Sequence, residues 1–295
     1  MESDGTHMSQ RPACVDGRSD GYGEHLVVRF DGPVATVVFS RPGQRNALNL
    51  DLLLALKQCL AELRAAVDIR VVVLTGAGST FCAGVDVSEE GRRAFYQPPQ
   101  QIERLYQENG QDIVWALMSL PQVIIAAVNG PAVGWGTCLS TCCDFRVVST
   151  SAFFRIPEIG FGMYYDVGCL YGLLSLVGPA QAKRMTMLGE DIGAAEALSM
   201  GLADRVITPE TFACGVQQLA DALIAQPSAA LRLVKRQIYA ATVARQRHLG
   251  AVELELTTAY YASNVDRYEG LAAFREGRRP MFSRESEQGK LTQSK

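Results

Sequence analysis

Apolar positions along the chain follow two rhythms. In residues 48–67 they recur at helical spacing through Leu52, Leu53, Leu56, Leu60 and Leu63, which predicts an amphipathic helix. Residues 123–128 are apolar without interruption and bounded by turn signals, the pattern of a strand covered on both faces. Residues 25–30 and 34–39, divided by Asp31-Gly32-Pro33, read as a hairpin. Further strands are expected at 70–75, 144–148, 152–156 and 203–207. Helices are expected at 101–120, beyond Gly168, from Gly178-Pro179, from Ile192-Gly193, and over 209–225, 228–244, 250–261 and 267–275. Strands and helices alternate through the first two thirds and helices alone follow. That order predicts an α/β core with a helical C-terminal subdomain.

Two polar stretches break the rhythm. Residues 1–23 are glycine-rich and aperiodic, and read as a disordered extension. Residues 88–100, ending in Gln97-Pro98-Pro99-Gln100, read as a mobile loop of the kind that covers a substrate channel. The remaining chain is expected to divide into a core over 24–207, a helical subdomain over 208–283 and a flexible tail over 284–295.

Composition then excludes several function classes. The 295 residues, 48% of them hydrophobic, suffice for one large domain or one domain with an appendage. With 28 basic and 31 acidic residues the net charge is −3, and the densest basic group is Arg275, Arg278 and Arg279. No nucleic-acid footprint is expected from this balance. The apolar runs fall short of the about 18 residues of a membrane span, and no signal-peptide core is present. A cytoplasmic protein is expected, with an organellar address left open. The eight cysteines have no regular spacing and are expected to be buried free thiols. Cys138, Cys142 and Cys143 lack zinc-site spacing and a nearby histidine. His7, His25 and His248 lie outside any motif, which argues against a Ser-His-Asp or Cys-His engine.

The candidate chemistry gathers between residues 123 and 166. The apolar strand turns at Asn129-Gly130-Pro131, and the small-residue run Gly134-Trp135-Gly136-Thr137-Cys138 starts a helix. Such a corner aims unpaired backbone N–H groups outward and suits an anion or a developing oxyanion. Glu158 and Asp166 follow and would supply proton chemistry. On the residues alone other uses stay open: turn and packing glycines at 84, 134 and 136, a helix N-cap at Asp166, and a surface carboxylate at Glu158.

Five blocks in order resemble the crotonase family, the enoyl-CoA hydratase/isomerase superfamily. They are Arg41-Pro42-x-x-x-Asn46-Ala47-Leu48, Phe81-Cys82-Ala83-Gly84-Val85-Asp86, the run from Val128 through Asn129-Gly130-Pro131 to Gly136, Pro157-Glu158-Ile159-Gly160, and Glu269-Gly270-x-x-Ala273-Phe274-x-Glu276-x-Arg278-x-Pro280-x-Phe282. The resemblance implies a spiral of ββα turns, a helical C-terminal trimerisation region, trimers that often pair into hexamers, and an acyl-CoA thioester as substrate with no separate cofactor. It implies an oxyanion hole from the N–H groups of Val85 and Trp135, a position usually occupied by glycine. It also implies CoA and substrate contacts at Gly43, Gln44, Arg45, Ala83, Asp86, Val87, Gly134 and Cys138. Trp135 either lines the acyl pocket or packs under a neighbouring helix.

Water-adding members of that family use two glutamates. One matches Glu158, but the other falls at Cys138, and a neutral thiol does not activate water as a carboxylate does. The remaining pattern resembles the Δ3,Δ2-enoyl-CoA isomerases. The Glu158…Asp166-Val167-Gly168 pattern also resembles the Δ3,5-Δ2,4-dienoyl-CoA isomerases, in which two carboxylates serve opposite ends of a diene. An acyl-CoA double-bond isomerase is therefore expected. Other enolate chemistry (decarboxylation, C–C cleavage, weak hydration) and a non-catalytic acyl-CoA- or RNA-binding member are the alternatives. Tyr164 and Tyr165 are read either as pocket lining or as core.

Overall fold

The computed structural model describes residues 19–88, 100–244 and 266–282, with residues 253, 255–257, 259 and 260. It opens with three strands, β1 (Ser19–Tyr22), β2 (Leu26–Asp31) and β3 (Val34–Phe39), paired antiparallel in sequence. Residues 19–22 thus leave the disordered extension expected at the N-terminus. Tyr22 is buried and its hydroxyl donates to Glu62 at 2.7 Å, an anchor that local polarity does not reveal. The loop expected at 88–100 lies almost wholly outside the described residues.

Helix α1 (Leu50–Ala65) buries its predicted leucine stripe and is capped by Asn49, whose side chain accepts from Leu52 N at 3.0 Å. Strand β4 (Val71–Gly76) follows, then α2 (Gln100–Met118) and β5 (Val123–Val128). Strand β5 alternates cleanly. Ile124, Ala126 and Val128 enter a core shared with α1 and α2, while Val123, Ile125 and Ala127 enter a second core on the opposite face. A strand serving two cores has no polar face, and this accounts for its unbroken apolar run.

Strand β6 (Ala132–Val133) leads into the short helix α3 (Trp135–Thr141), and β7 (Phe145–Ser149) and β8 (Phe153–Arg155) follow. Helix α4 (Cys169–Lys183) bends at Gly178, where Pro179 restarts it. Strand β9 (Ile192–Gly193), helix α5 (Ala194–Ser199) and strand β10 (Arg205–Ile207) complete the core. The large sheet has the order β1-β2-β3-β4-β5-β7-β10, parallel from β3 onward, and a small sheet has the order β6-β8-β9. Helix α6 (Phe212–Ile224) covers the second core with Val216, Leu219 and Leu223. Helix α7 (Ser228–Thr242) is pinned to the sheet by Lys235, which reaches Asp144 at 2.6 Å while that carboxylate also accepts from Ile124 N. Helix α8 (Asp266–Glu276) packs back on residues 158–161. No helix among the described residues is long and apolar enough to cross a membrane.

Candidate active site

The site is assembled from loops at one end of the parallel strands, and its first component is a backbone knot. Arg45 and Asn46 have φ of 51° and 56°, the left-handed region that asparagine tolerates better than most residues. Asn46 is fully buried; its Oδ1 accepts from Arg41 N, and its Nδ2 donates to the carbonyls of Ala77 and Thr80. This turns Gly43, Gln44 and Arg45 outward as an exposed rim. The Arg41 guanidinium reaches Asp86 at 2.9 Å and so ties the rim to the next block. Burial pushes the Asp86 carboxyl up, but hydrogen bonds from Ser88 and the Arg41 charge outweigh it and hold the group below its ordinary range.

The second component is a pair of amides. Leu48 N donates to Gly84 O and Asp86 N to Leu48 O, so the intervening Val85 turns its own N–H the other way. Gly84 has φ of 86°, and a β-carbon there would lie 2.8 Å from Val133 O and 3.5 Å from Trp135 N. The Val85 and Trp135 amides are therefore neighbours. Neither N–H has a hydrogen-bond partner among the described residues, and both residues form part of one cavity wall. Trp135 begins helix α3, where first-turn N–H groups have no intrahelical acceptor.

The third component is acidic. Glu158 opens a single 3₁₀ turn after Pro157, and its Oε1 rests on Gly134, where a β-carbon would come within 2.5 Å. Only glycine, here with φ of 54°, leaves room for that carboxylate. Its Oε2 is sealed from solvent and lacks a hydrogen-bond partner. Burial, opposed by its own backbone N–H and reinforced by the charge of Asp166, pushes the carboxyl up to about 8. Asp166 shares the cavity wall, so the structure brings the two carboxylates together. Gly168, not Asp166, caps helix α4, so the N-cap alternative fails for Asp166. Val167, which follows it, has φ of 55°, a conformation costly for a β-branched residue. The strained corner is held by Glu253, which accepts from Gly168 N at 2.8 Å. Burial and the charge of Asp166 raise Glu253 to about 7.

Together these groups enclose a cavity of about 720 Å³. Its wall includes Gly43, Gln44, Arg45, Ala83, Val85, Asp86, Val87, Gly134, Trp135, Glu158 and Asp166, all expected site residues, and apolar surface from Phe153, Phe161, Met163 and Phe274. Cys138 is the exception. It is buried away from the cavity and joined to Cys169 as a disulfide, with Cα atoms 5.0 Å apart. The expectation of free thiols throughout is corrected for this pair: the sequence gap of 31 residues conceals that helices α3 and α4 bring both side chains to one point. Cys214, a free thiol, is also exposed rather than buried. Cys59, Cys82, Cys142 and Cys143 are buried free thiols, and Cys14 lies outside the described residues.

Trp135 is both wall and packing. Its indole is nearly buried, and its six-membered ring fills the space beside Gly110 of helix α2, where no larger residue fits. Tyr164 lines the cavity and its hydroxyl bonds Thr257, whereas Tyr165 is in the core. Sequence reasoning missed Glu253, Gln107 and Arg267. Gln107 and Arg267 are buried in the wall, and Arg267 also sits 4.9 Å over the Tyr268 ring. A signal for Gln107 existed: it lies three residues before Gly110, on the same face of a helix. Arg278, of the basic group near the C-terminus, pairs with Glu269 and Glu276.

Comparison with known proteins identifies the family. The family model described as "Enoyl-CoA hydratase/isomerase" matches residues 29–285. The probable enoyl-CoA hydratase echA12 of Mycobacterium leprae is 34% identical over 254 residues, covering 82% of this chain and 84% of that protein. The 1,2-epoxyphenylacetyl-CoA isomerase of Escherichia coli is 31% identical over 266 residues, covering 88% and 98%. The crystal structure of an enoyl-CoA hydratase from Mycobacterium avium subsp. paratuberculosis superimposes with a TM-score of 0.78 at 26% identity, covering 88% of this chain and 99% of that one. The chain has the crotonase fold and belongs to the enoyl-CoA hydratase/isomerase family.

Proposed function

We propose that this enzyme is an acyl-CoA double-bond isomerase of the Δ3,5-Δ2,4-dienoyl or Δ3,Δ2-enoyl type. One observation carries the reading. Glu158 and Asp166 share a cavity with two unpaired amides, while position 138, where the resemblance puts the second glutamate of water-adding members, holds a disulfide sulfur. The Val85 and Trp135 N–H groups, with a thioester oxygen between them, would stabilise an enolate, each donor lowering the barrier by about 3 kcal/mol. The rim at Gly43, Gln44 and Arg45, with Ala83, Asp86 and Val87, would hold the CoA moiety.

Glu158, against Gly134 and hence beside the Trp135 amide, is the group next to C2. It takes the C2 proton, and the electron pair moves into the enolate. For a 3,5-diene the enolate is conjugated through to C6, where Asp166 passes on a proton drawn from solvent. Glu158 then returns its own proton to solvent, which closes the balance. For a simple 3-enoyl chain Glu158 itself returns the proton at C4.

The test is a panel of 3,5-dienoyl-, 3-enoyl- and 2-enoyl-CoA followed in the ultraviolet. Appearance of the 2,4-dienoyl or 2-enoyl chromophore without its later decay is expected. Rapid loss of the 2-enoyl chromophore would instead establish hydration, the activity named for several relatives. Inertness toward all three would favour a binding role or another enolate reaction.

A further inference from the structure

Helix α2 contributes a polar residue to the cavity wall. Gln107 is 5% exposed, forms part of the wall, and has no hydrogen-bond partner for either Nε2 or Oε1 among the described residues. Buried carboxamides are almost always paired, because an orphaned donor or acceptor carries the full cost of its lost hydration. The location of this one is fixed by its neighbours on the same helix face. Gly110, one turn along, receives the tip of the Trp135 indole, and Val114, a further turn along, meets Gly168. The indole springs from the residue whose amide faces the thioester oxygen. Gln107 therefore lies one helical turn from the far end of that indole, on the wall of the same cavity.

We propose that Gln107 recognises a hydroxyl group carried on the acyl chain, so that the preferred substrates are hydroxylated acyl thioesters rather than plain alkyl ones. The inference rests on reading the cavity as an acyl-CoA site. The chemistry of the amide selects the group. A hydroxyl both accepts from Nε2 and donates to Oε1, whereas a ketone or a carboxylate satisfies only the amine and leaves Oε1 unpaired. Phe153, Phe161, Met163 and Phe274 on the rest of the wall suit the apolar remainder of such a chain.

Binding of unreactive saturated thioesters tests this apart from catalysis. Octanoyl-CoA is compared by calorimetry with its isomers bearing one hydroxyl, walked carbon by carbon along the chain. One position, well removed from the thioester, is expected to bind about tenfold or more tighter than octanoyl-CoA. In Gln107→Leu that ratio falls to about one, and Gln107→Met, closer in shape, serves should the leucine variant fold poorly. If octanoyl-CoA itself does not bind the wild type, the acyl-CoA reading falls and this inference with it. If octanoyl-CoA binds but no hydroxylated isomer exceeds it, or the preference survives in the variant that folds, the hydroxyl inference alone is overturned. That result would leave the amide served by cavity water.

Discussion

Glu158 shows how a single side chain inherits its chemistry from position. A carboxylate taken out of water tends to keep its proton, and here burial outweighs the one backbone N–H that favours the charge, which is why the midpoint rises to about 8. Opening the reaction by removing the C2 proton needs the ionised form. We therefore expect kcat/KM to climb with pH and level off above about 8, and a flat profile would remove Glu158 as the opening base. Stability runs the other way. The folded midpoint lies above the unfolded value of 4.5, so the native state loses stability as pH rises from the lower value to the higher. Glu158→Gln should lower kcat by about 10³-fold and raise the melting temperature above pH 8, the gain being of order a few kcal/mol. Legibility follows the same logic. Glu158, the two amides and the rim could be named through the family resemblance because each lies in a contiguous block of sequence. Gln107, Glu253 and the Cys138–Cys169 bond were not, because each acquires meaning only from a residue distant in sequence.

At the scale of elements, α1 and β5 declare themselves through periodicity, whereas β1 does not. Ser19-Asp20-Gly21-Tyr22 contains one apolar side chain, and its strand character comes from the ladder to β2. The contact between α2 and α3 is the other arrangement hidden from local pattern. A glycine inside a long helix costs about 1 kcal/mol relative to alanine, so Gly110 is tolerated for the room it gives the Trp135 indole. Gly110→Ala is accordingly expected to destabilise, by roughly 1–3 kcal/mol in urea unfolding, despite its better helix propensity. Combining it with Trp135→Phe should recover part of the loss. Additive losses in that double mutant would show that the indole and the glycine are not a matched pair.

For the whole molecule, the helical C-terminal region leaves apolar side chains in solvent. Leu233, Val234 and Ile238 are exposed on α7, and Phe274, Met281 and Phe282 at and beyond α8. Apolar surface of this kind is commonly covered by another chain, and the family resemblance implies trimers or pairs of trimers. Sedimentation should therefore give a trimer or hexamer, and Leu233→Glu with Ile238→Glu should yield smaller species; a monomeric wild type would refute the expectation. The α/β core and helical end were visible from the order of rhythms alone, but the surface that meets a neighbour was not. An exposed leucine looks the same in sequence as a buried one.

The bond between helices α3 and α4 also constrains anyone wishing to redesign the enzyme. Writing glutamate at position 138 would strand a sulfur at 169 and cut a covalent strut beside the strained corner that carries Asp166. On the isomerase reading, conversion to a water-adding catalyst would be a two-residue problem, with an inert replacement for Cys169 chosen first.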